Sequence, residues 1–308
     1  MKKTLRADAG AYVAAALLVL LLVCRACVPG FHHVGMYFNI LTQASITGIL
    51  AIGMLFVLIC GDIDLSIGAQ TSLYGVLCVY LMKQGIALPV AIVLTMACAL
   101  AIGGTLGWLI QTRRLNSMVA TIAAAVTLQG VTYIVARGLP LFNIPGSLER
   151  MVSAKIGRFS FCSLLFAGTV LLAGLILHHT YWGKFFYAVG SDESTAERAG
   201  VPVRCTRVLA FALCSLLCAC GAIAFTGRIG LASLDAGGES VLDVMTAAAL
   251  GGVGFQGGRG KILPLVCATL LLATLSTAFI GLRTPYYYQN LIKGGILFLA
   301  ISTKITKS

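Results

Sequence analysis

The sequence predicts an all-α, polytopic membrane protein: about ten transmembrane helices, two of them short or broken, in a single domain over 1–308. Three observations carry this. Of the 308 residues 59% are hydrophobic and only 10% charged, whereas soluble domains carry about 25% charged residues. Apolar runs close to the roughly 20 residues needed to cross a bilayer recur along the whole length. The Lys and Arg residues collect in short loops between those runs, where they set orientation. That placement also disposes of nucleic acid as an explanation for the net charge of +12. The loops leave no room for a soluble catalytic domain.

Taken in order, the spans fall at 10–28, 40–60, 66–82, 86–112, 117–136, 161–179, 208–226, 242–256, 262–281 and 286–303. The basic start Met1–Arg6 precedes a long apolar run with no A-x-A cleavage site, so a retained first helix is expected and not a signal peptide. With the N-terminus inside, thirteen Lys/Arg lie on the inner side and eight on the outer, with Lys293 inside the last span. Cys24 and Cys27 have redox spacing but lie in a span without βαβ context. The eleven cysteines are read as small hydrophobes. Gly103 and Gly107 in the fourth span suit close helix packing. Residues 137–159 form the longest outer loop, with room for a short surface helix.

Two places do not read as plain lipid-facing helix. The second span runs into Gly61-Asp-Ile-Asp-Leu-Ser-Ile-Gly68, and the eighth carries six glycines from Gly251 to Gly260. Short, glycine-interrupted segments in the two halves of a chain point to a transport path, because broken backbone is tolerated at membrane depth only where protein or a wet cavity satisfies it. Gly61–Ile67 and Gly227–Ser233 share Gly, Ile and Leu at three of seven positions, which suits an inverted repeat. Asp62 and Asp64 are expected to end the second span, with Asp64 and Ser66 capping the next helix; a proton or cation relay is the alternative. The other polar residues of the spans are mainly neutral, a lining suited to an uncharged hydrophilic solute. The path is assigned to Gln43, Thr47, Asp64, Ser66, Gln129, Gly251 and Gly252.

Several motifs come to nothing. Gly252–Gly257 matches G-x-G-x-x-G but has no strand before it, and no P-loop occurs. His32-His33 and His178-His179 lack the further ligands a metal site needs. No catalytic grouping is present, and neither a cofactor nor a metal is expected.

The most charged run is 183–207, with Lys184, Arg198, Arg204 and Arg207 against Asp192, Glu193 and Glu197. Ser191 or Asp192 can cap a helix here, and Ser194-Thr-Ala-Glu197 has capping-box spacing. Gly200 supplies the stop and Pro202 prevents continuation. The helix is about two turns long, too short to stand alone in water. It packs either on the protein's own span ends or in a groove of a cytoplasmic partner.

Gly61–Gly68 resembles the G-G-I-D-L-S-V-G signature of the ribose/xylose/arabinose-type permease subunits of bacterial ABC importers. Tyr187–Val201 resembles their Y-A-x-G-x-N-x-x-A-A-x-x-x-G-I segment, and Leu250–Gly260 their L-G-G-x-x-x-x-G-G-x-G run. Tyr287-Tyr-Gln289 recurs before the last span. The resemblance covers about residue 40 to the C-terminus. It implies a multi-pass bacterial inner-membrane protein, in which the Lys/Arg bias expects both termini to be cytoplasmic, with a second permease chain, two cytoplasmic ATP-binding subunits and a periplasmic solute-binding protein. It also implies that the 183–207 loop holds a coupling helix, carried by Ser191, Asp192, Glu193, Ala196, Glu197, Arg198, Ala199 and Gly200. Asp62 departs from the usual Gly and Asp192 from the usual Asn. The function implied is import of a monosaccharide or similar neutral polar solute, with ATP hydrolysed by a separate chain. The rival is a self-sufficient carrier or channel.

Overall fold

The computed structural model describes residues 9–28 and 30–305; the basic start Met1–Arg6 and Lys307 lie outside them. Its helices are α1 (Ala9–Cys27), α2 (Val34–Ile59), α3 (Ile67–Lys83), α4 (Leu88–Arg113), α5 (Ser117–Val135), α6 (Gly146–Ser153), α7 (Phe161–His179), α8 (Tyr181–Ser191), α9 (Glu193–Arg198), α10 (Val203–Ile229), α11 (Gly238–Leu250), α12 (Ile262–Gly281) and α13 (Tyr286–Ile305). A two-residue hairpin of β1 (Lys155–Ile156) and β2 (Phe159–Ser160) is the one departure from an all-α build among the described residues. Among the described residues seven helices are long and apolar enough to cross a membrane: α1, α2, α4, α5, α7, α10 and α12. The helices α3, α11 and α13 occupy the other three predicted spans.

The centre of the molecule is α2. Every residue from Ile49 to Cys60 is buried, as a helix apolar on all sides requires. It runs antiparallel to α10, with Gly53 against Cys214 and Leu217 and Gly221 against Leu50 and Ile46. On the other side of α10 lies α4. A Cβ at Gly103 would stand 2.6 Å from the Phe211 carbonyl oxygen, and one at Gly107 3.0 Å from Val208 Cα, so the expected close packing finds its partner in α10. Tyr74 Oη and Ser215 Oγ share a hydrogen bond of 2.6 Å within this core.

The spans differ from expectation in two places. The second and seventh begin earlier, at Val34 and Val203; α10 starts directly after Pro202 and carries Arg204 and Arg207 in its first two turns. The eighth is Gly238–Leu250 and not 242–256. Its glycine run lies after the helix, which ends at Gly251, and Gly252 follows at φ +75°. The break stands before the helix instead. After α10, Gly230 turns the chain at φ +76°, and 231–237 fold back until Gly237 meets Gly68 on α3. There a Cβ on Gly237 would stand 2.1 Å from the Gly68 oxygen, and the Gly237 N–H donates to Ser72 Oγ at 3.2 Å. The bundle thus holds two breaks, 60–66 after α2 and 230–237 after α10. Each precedes a short helix, and the two short helices meet at their starting ends.

The polar residues of the spans, expected to be mainly neutral, include an acid in α11. Asp243 in α11 pairs with Lys293 in α13 at 2.9 Å. Lys293→Met strands the carboxylate and is expected to lower stability by about 2–3 kcal/mol, somewhat less than for a fully buried pair. Adding Asp243→Asn should recover part of the loss in thermal unfolding of the detergent-purified protein.

The charged run, the end of α2, the end of α4 and the loop after α11 gather at one face of the bundle, called here the α9 face. The opposite face carries α6 and the hairpin. There Leu148 and Val152 of α6 lie against Gly227 of α10, Lys83 Nζ donates to the Phe142 carbonyl at 2.6 Å, and Leu141 bridges to Ala232.

Candidate functional site: the α9 face

The run 181–198 is two helices. Thr180 caps α8, its hydroxyl accepting from the Gly183 N–H at 3.4 Å, and Phe186 packs edge-on to Phe56 of α2 with ring centroids 5.5 Å apart. Ser191 ends α8, donating to the Tyr187 carbonyl at 2.8 Å, and Asp192 is the N-cap of α9. Its carboxylate accepts from the Thr195 N–H at 3.0 Å and the Ser194 hydroxyl at 2.9 Å. The capping box expected of Ser194 and Glu197 therefore does not form, because Ser194 already lies inside the helix. At the other end Gly200 takes φ +81°, Val201 N–H donates to the Ala196 carbonyl and Gly200 N–H to that of Glu197, each at 3.0 Å. This paired closure is the Schellman stop.

Of the expected coupling residues only Ala196 is buried, against Val189 and Val203; Ser191, Asp192, Glu193, Glu197, Arg198, Ala199 and Gly200 are exposed. Ala196 is thus the buried contact of α9 with its own chain, and its other side chains lie at the surface. The Thr195 N–H and the Ser194 hydroxyl hold the Asp192 carboxyl below its ordinary value. A depressed carboxyl stabilises the fold above its unfolded pKa and loses that contribution as pH falls through the folded value. The α9 amides should therefore lose hydrogen-exchange protection on acidification below the ordinary carboxylate range. Asp192→Ala should remove that protection already at neutral pH, and Asp192→Asn, which also caps well, should keep it.

The three stretches singled out in the sequence meet beneath α9. The Ile59 carbonyl at the end of α2 accepts from the Gly258 N–H at 2.8 Å. Gly190 of α8 lies so close that a Cβ there would stand 1.8 Å from the same oxygen, and a Cβ at Gly257 would stand 2.5 Å from the Gly190 oxygen and 2.8 Å from Gly61 Cα. Tyr187 Oη donates to the Gly260 carbonyl at 2.7 Å. Only backbone fits at this junction, which locks α8, the end of α2 and the loop after α11 together.

At the first break Asp64 is wholly buried. Its carboxylate accepts from the Ser66 N–H at 2.9 Å and from Gln70 Nε2 at 3.0 Å, and Ser66 Oγ also donates to it. Asp64 thus closes a turn onto Ser66, the N-cap of α3, and neither side chain makes the expected cap to the first-turn amides. Asp62 instead faces Arg207: its Oδ2 lies 3.3 Å from Arg207 Nε, and Arg207 Nη2 donates to Glu193 Oε2 at 2.8 Å. Burial pushes the Asp62 carboxyl up, against the pull of Arg207.

One stripe of α5 holds both breaks. Ser117 Oγ accepts from the Ile63 N–H at 3.3 Å, Thr121 Oγ1 accepts from the Leu65 N–H at 3.1 Å, and two turns on Gln129 Nε2 donates to the Leu234 carbonyl at 2.7 Å. Of the residues assigned to a path, Asp64 and Ser66 therefore lie together at one break and Gln129 at the other. Gln43 accepts from the Thr277 hydroxyl of α12 at 3.1 Å, with Thr47 half-buried one turn further along α2. Gly251 packs on Leu265 of α12, where a Cβ would stand 2.9 Å from its Cα, and Gly252 begins the loop. Sequence reasoning missed Ser117, Thr121 and Arg207. The i, i+4, i+12 spacing of Ser117, Thr121 and Gln129 was the available signal for the first two. Beside α9 a cleft of about 450 Å³ opens between the end of α4 and the start of α10, lined by Arg114, Glu193, Glu197, Arg204 and Arg207 among others.

Apolar helices interrupted by two inward-meeting breaks, with a capped and exposed helix at one face, define an integral membrane protein built for transport. Residues 36–301 match the family described as branched-chain amino acid transport system / permease component, and the chain belongs to that family. It is 31% identical over 294 residues to the ribose import permease protein RbsC of Escherichia coli K12, covering 93% of this chain and 90% of the relative. Identity to RbsC of Bacillus subtilis 168 is 30% over 297 residues, covering 95% and 91%. Identity to the xylose transport system permease protein XylH of Haemophilus influenzae is 28% over 325 residues, covering 85% and 87%. No solved structure matches the chain. The chain is thus the permease subunit of an ABC importer, a transport component and not an enzyme, and ATP hydrolysis belongs to a separate chain.

Proposed function

We propose that this permease admits a monosaccharide, or a neutral polar solute of similar size, to the cytoplasm of a bacterium across its inner membrane. Relatives named for ribose and for xylose support a pentose-sized cargo. A second copy or a sister permease completes the core. Two ATP-binding subunits dock on the α9 face, which is cytoplasmic, and a periplasmic solute-binding protein docks on the hairpin face. Ten helices span the bilayer, and both termini are cytoplasmic. The chain is one domain, and the segment 183–207 is its coupling element.

The observation that carries this reading is α9, capped at both ends, with Ala196 as its buried side chain and its other side chains exposed. The path runs past the two breaks. The helices α2 and α3 correspond to α10 and α11 by an inverted repeat, a reading supported by the antiparallel α2–α10 pair and by the contact of Gly68 with Gly237. Gentle solubilisation of the tagged permease from its native host, followed by identification of what co-purifies, tests the proposal. An ATP-binding subunit is expected in stoichiometric amount, and a permease that purifies alone and active contradicts it.

A further inference from the structure

Little ties α9 to the rest of the chain. Ala196 is its one buried side chain. The other side-chain tie is Glu193, the first residue of α9, whose Oε2 accepts from Arg207 Nη2 at 2.8 Å. The Nε of the same guanidinium lies 3.3 Å from Asp62 Oδ2, an ion pair in which neither atom completes a hydrogen bond. The Arg207 and Asp62 side chains are only 17% and 10% exposed, while that of Glu193 is 51% exposed, so the chain of charges runs from the surface inward. Its inner end is the first break. Asp62 is followed there by Ile63 and Leu65, whose backbone is held by Ser117 and Thr121 of α5, and by Asp64, which closes a turn onto Ser66. Six residues past Asp62 stands Gly68, where α3 meets the second break.

We propose that Arg207 is a positioning residue that joins the coupling helix to the α2–α3 break, so that displacement of α9 is delivered to Asp62 and from there to the contact between the two breaks. The proposal rests on the reading of α9 as the coupling helix. The guanidinium suits the task because its fork reaches two carboxylates at once, whereas a lysine ammonium on its flexible stem is a point charge.

The test uses the complete importer, with permease, ATP-binding subunits and solute-binding protein in liposomes, and reads solute imported per ATP hydrolysed. Asp62→Asn and Glu193→Gln are each expected to lower that ratio about tenfold, within the usual range of coupling between sites. The double variant should fall no further than either single one, since both cut the same link. Arg207→Lys should recover only part of the ratio lost in Arg207→Met. A wild-type ratio in Asp62→Asn, with only the yield or melting temperature of the complex reduced, would overturn the proposal and leave a purely structural ion pair. If Asp62→Asn does not assemble, Glu193→Gln keeps the Asp62–Arg207 pair and reads the same ratio. Replacing Glu197 and Arg198 separates the two readings. If that variant uncouples and Asp62→Asn does not, the link fails and the coupling helix stands; if neither uncouples, both fall.

Discussion

Gly190→Ala is expected to disassemble the α9 face. Helix propensity alone favours alanine over glycine by about 1 kcal/mol, so the sequence by itself points to a mild gain. The junction reverses the sign. The added Cβ would stand 1.8 Å from the Ile59 oxygen and 2.6 Å from the Gly258 nitrogen, which are themselves joined by a hydrogen bond. Backbone cannot swing aside as a flexible side chain can. The expected loss is about 3 kcal/mol, at the upper end for overpacked sites, read as a lower melting temperature and a smaller fraction of permease captured with its ATP-binding subunits. Gly104→Ala and Gly130→Ala, which lie in helices and meet nothing within 4 Å, should lower neither.

The second large effect is on coupling and not on folding. Glu197 and Arg198 are exposed on α9, and among the described residues neither side chain has a hydrogen bond or ion pair. Exposed side chains of this kind usually change stability by no more than about 0.5 kcal/mol. At the centre of an interface, a charged side chain can cost about 1–2 kcal/mol when truncated. Replacing both with alanine should therefore leave the permease folded and inserted while uptake falls about tenfold or more. ATP hydrolysis by the partner should persist. Normal uptake by the double variant would count against α9 as the coupling element.

The helices and their order were legible because apolar runs separated by short charged loops admit few other readings. The cap and stop of α9 were legible in part: Gly200 does what its position before Pro202 suggests, and Asp192 was one of two candidates. The capping box failed because spacing alone cannot say where a helix begins, and Asp192 took the role first. The eighth span was misplaced by a related error. Its glycines were read as a break within a helix, whereas they let loop backbone pass against α2 and α8. The true break, 230–237, was touched by the echo of Gly61–Ile67 in Gly227–Ser233, but its contact with Gly68 through Gly237 shows only in the packing. Arg207 was legible as a charge but not as a link, since its two partners lie 14 and 145 positions away in the chain. No local pattern brings such residues together; the packing of α10 against the break does.

The central claim is that the energy for transport enters this chain from outside, through α9. Reconstitution tests it most directly: the permease in liposomes, alone and with its ATP-binding subunits and sugar-loaded binding protein, with uptake of labelled ribose and xylose followed with and without ATP. Uptake of one of these sugars is expected only from the complete complex and only with ATP. Uptake by the permease alone, down a gradient and indifferent to ATP, would contradict the account.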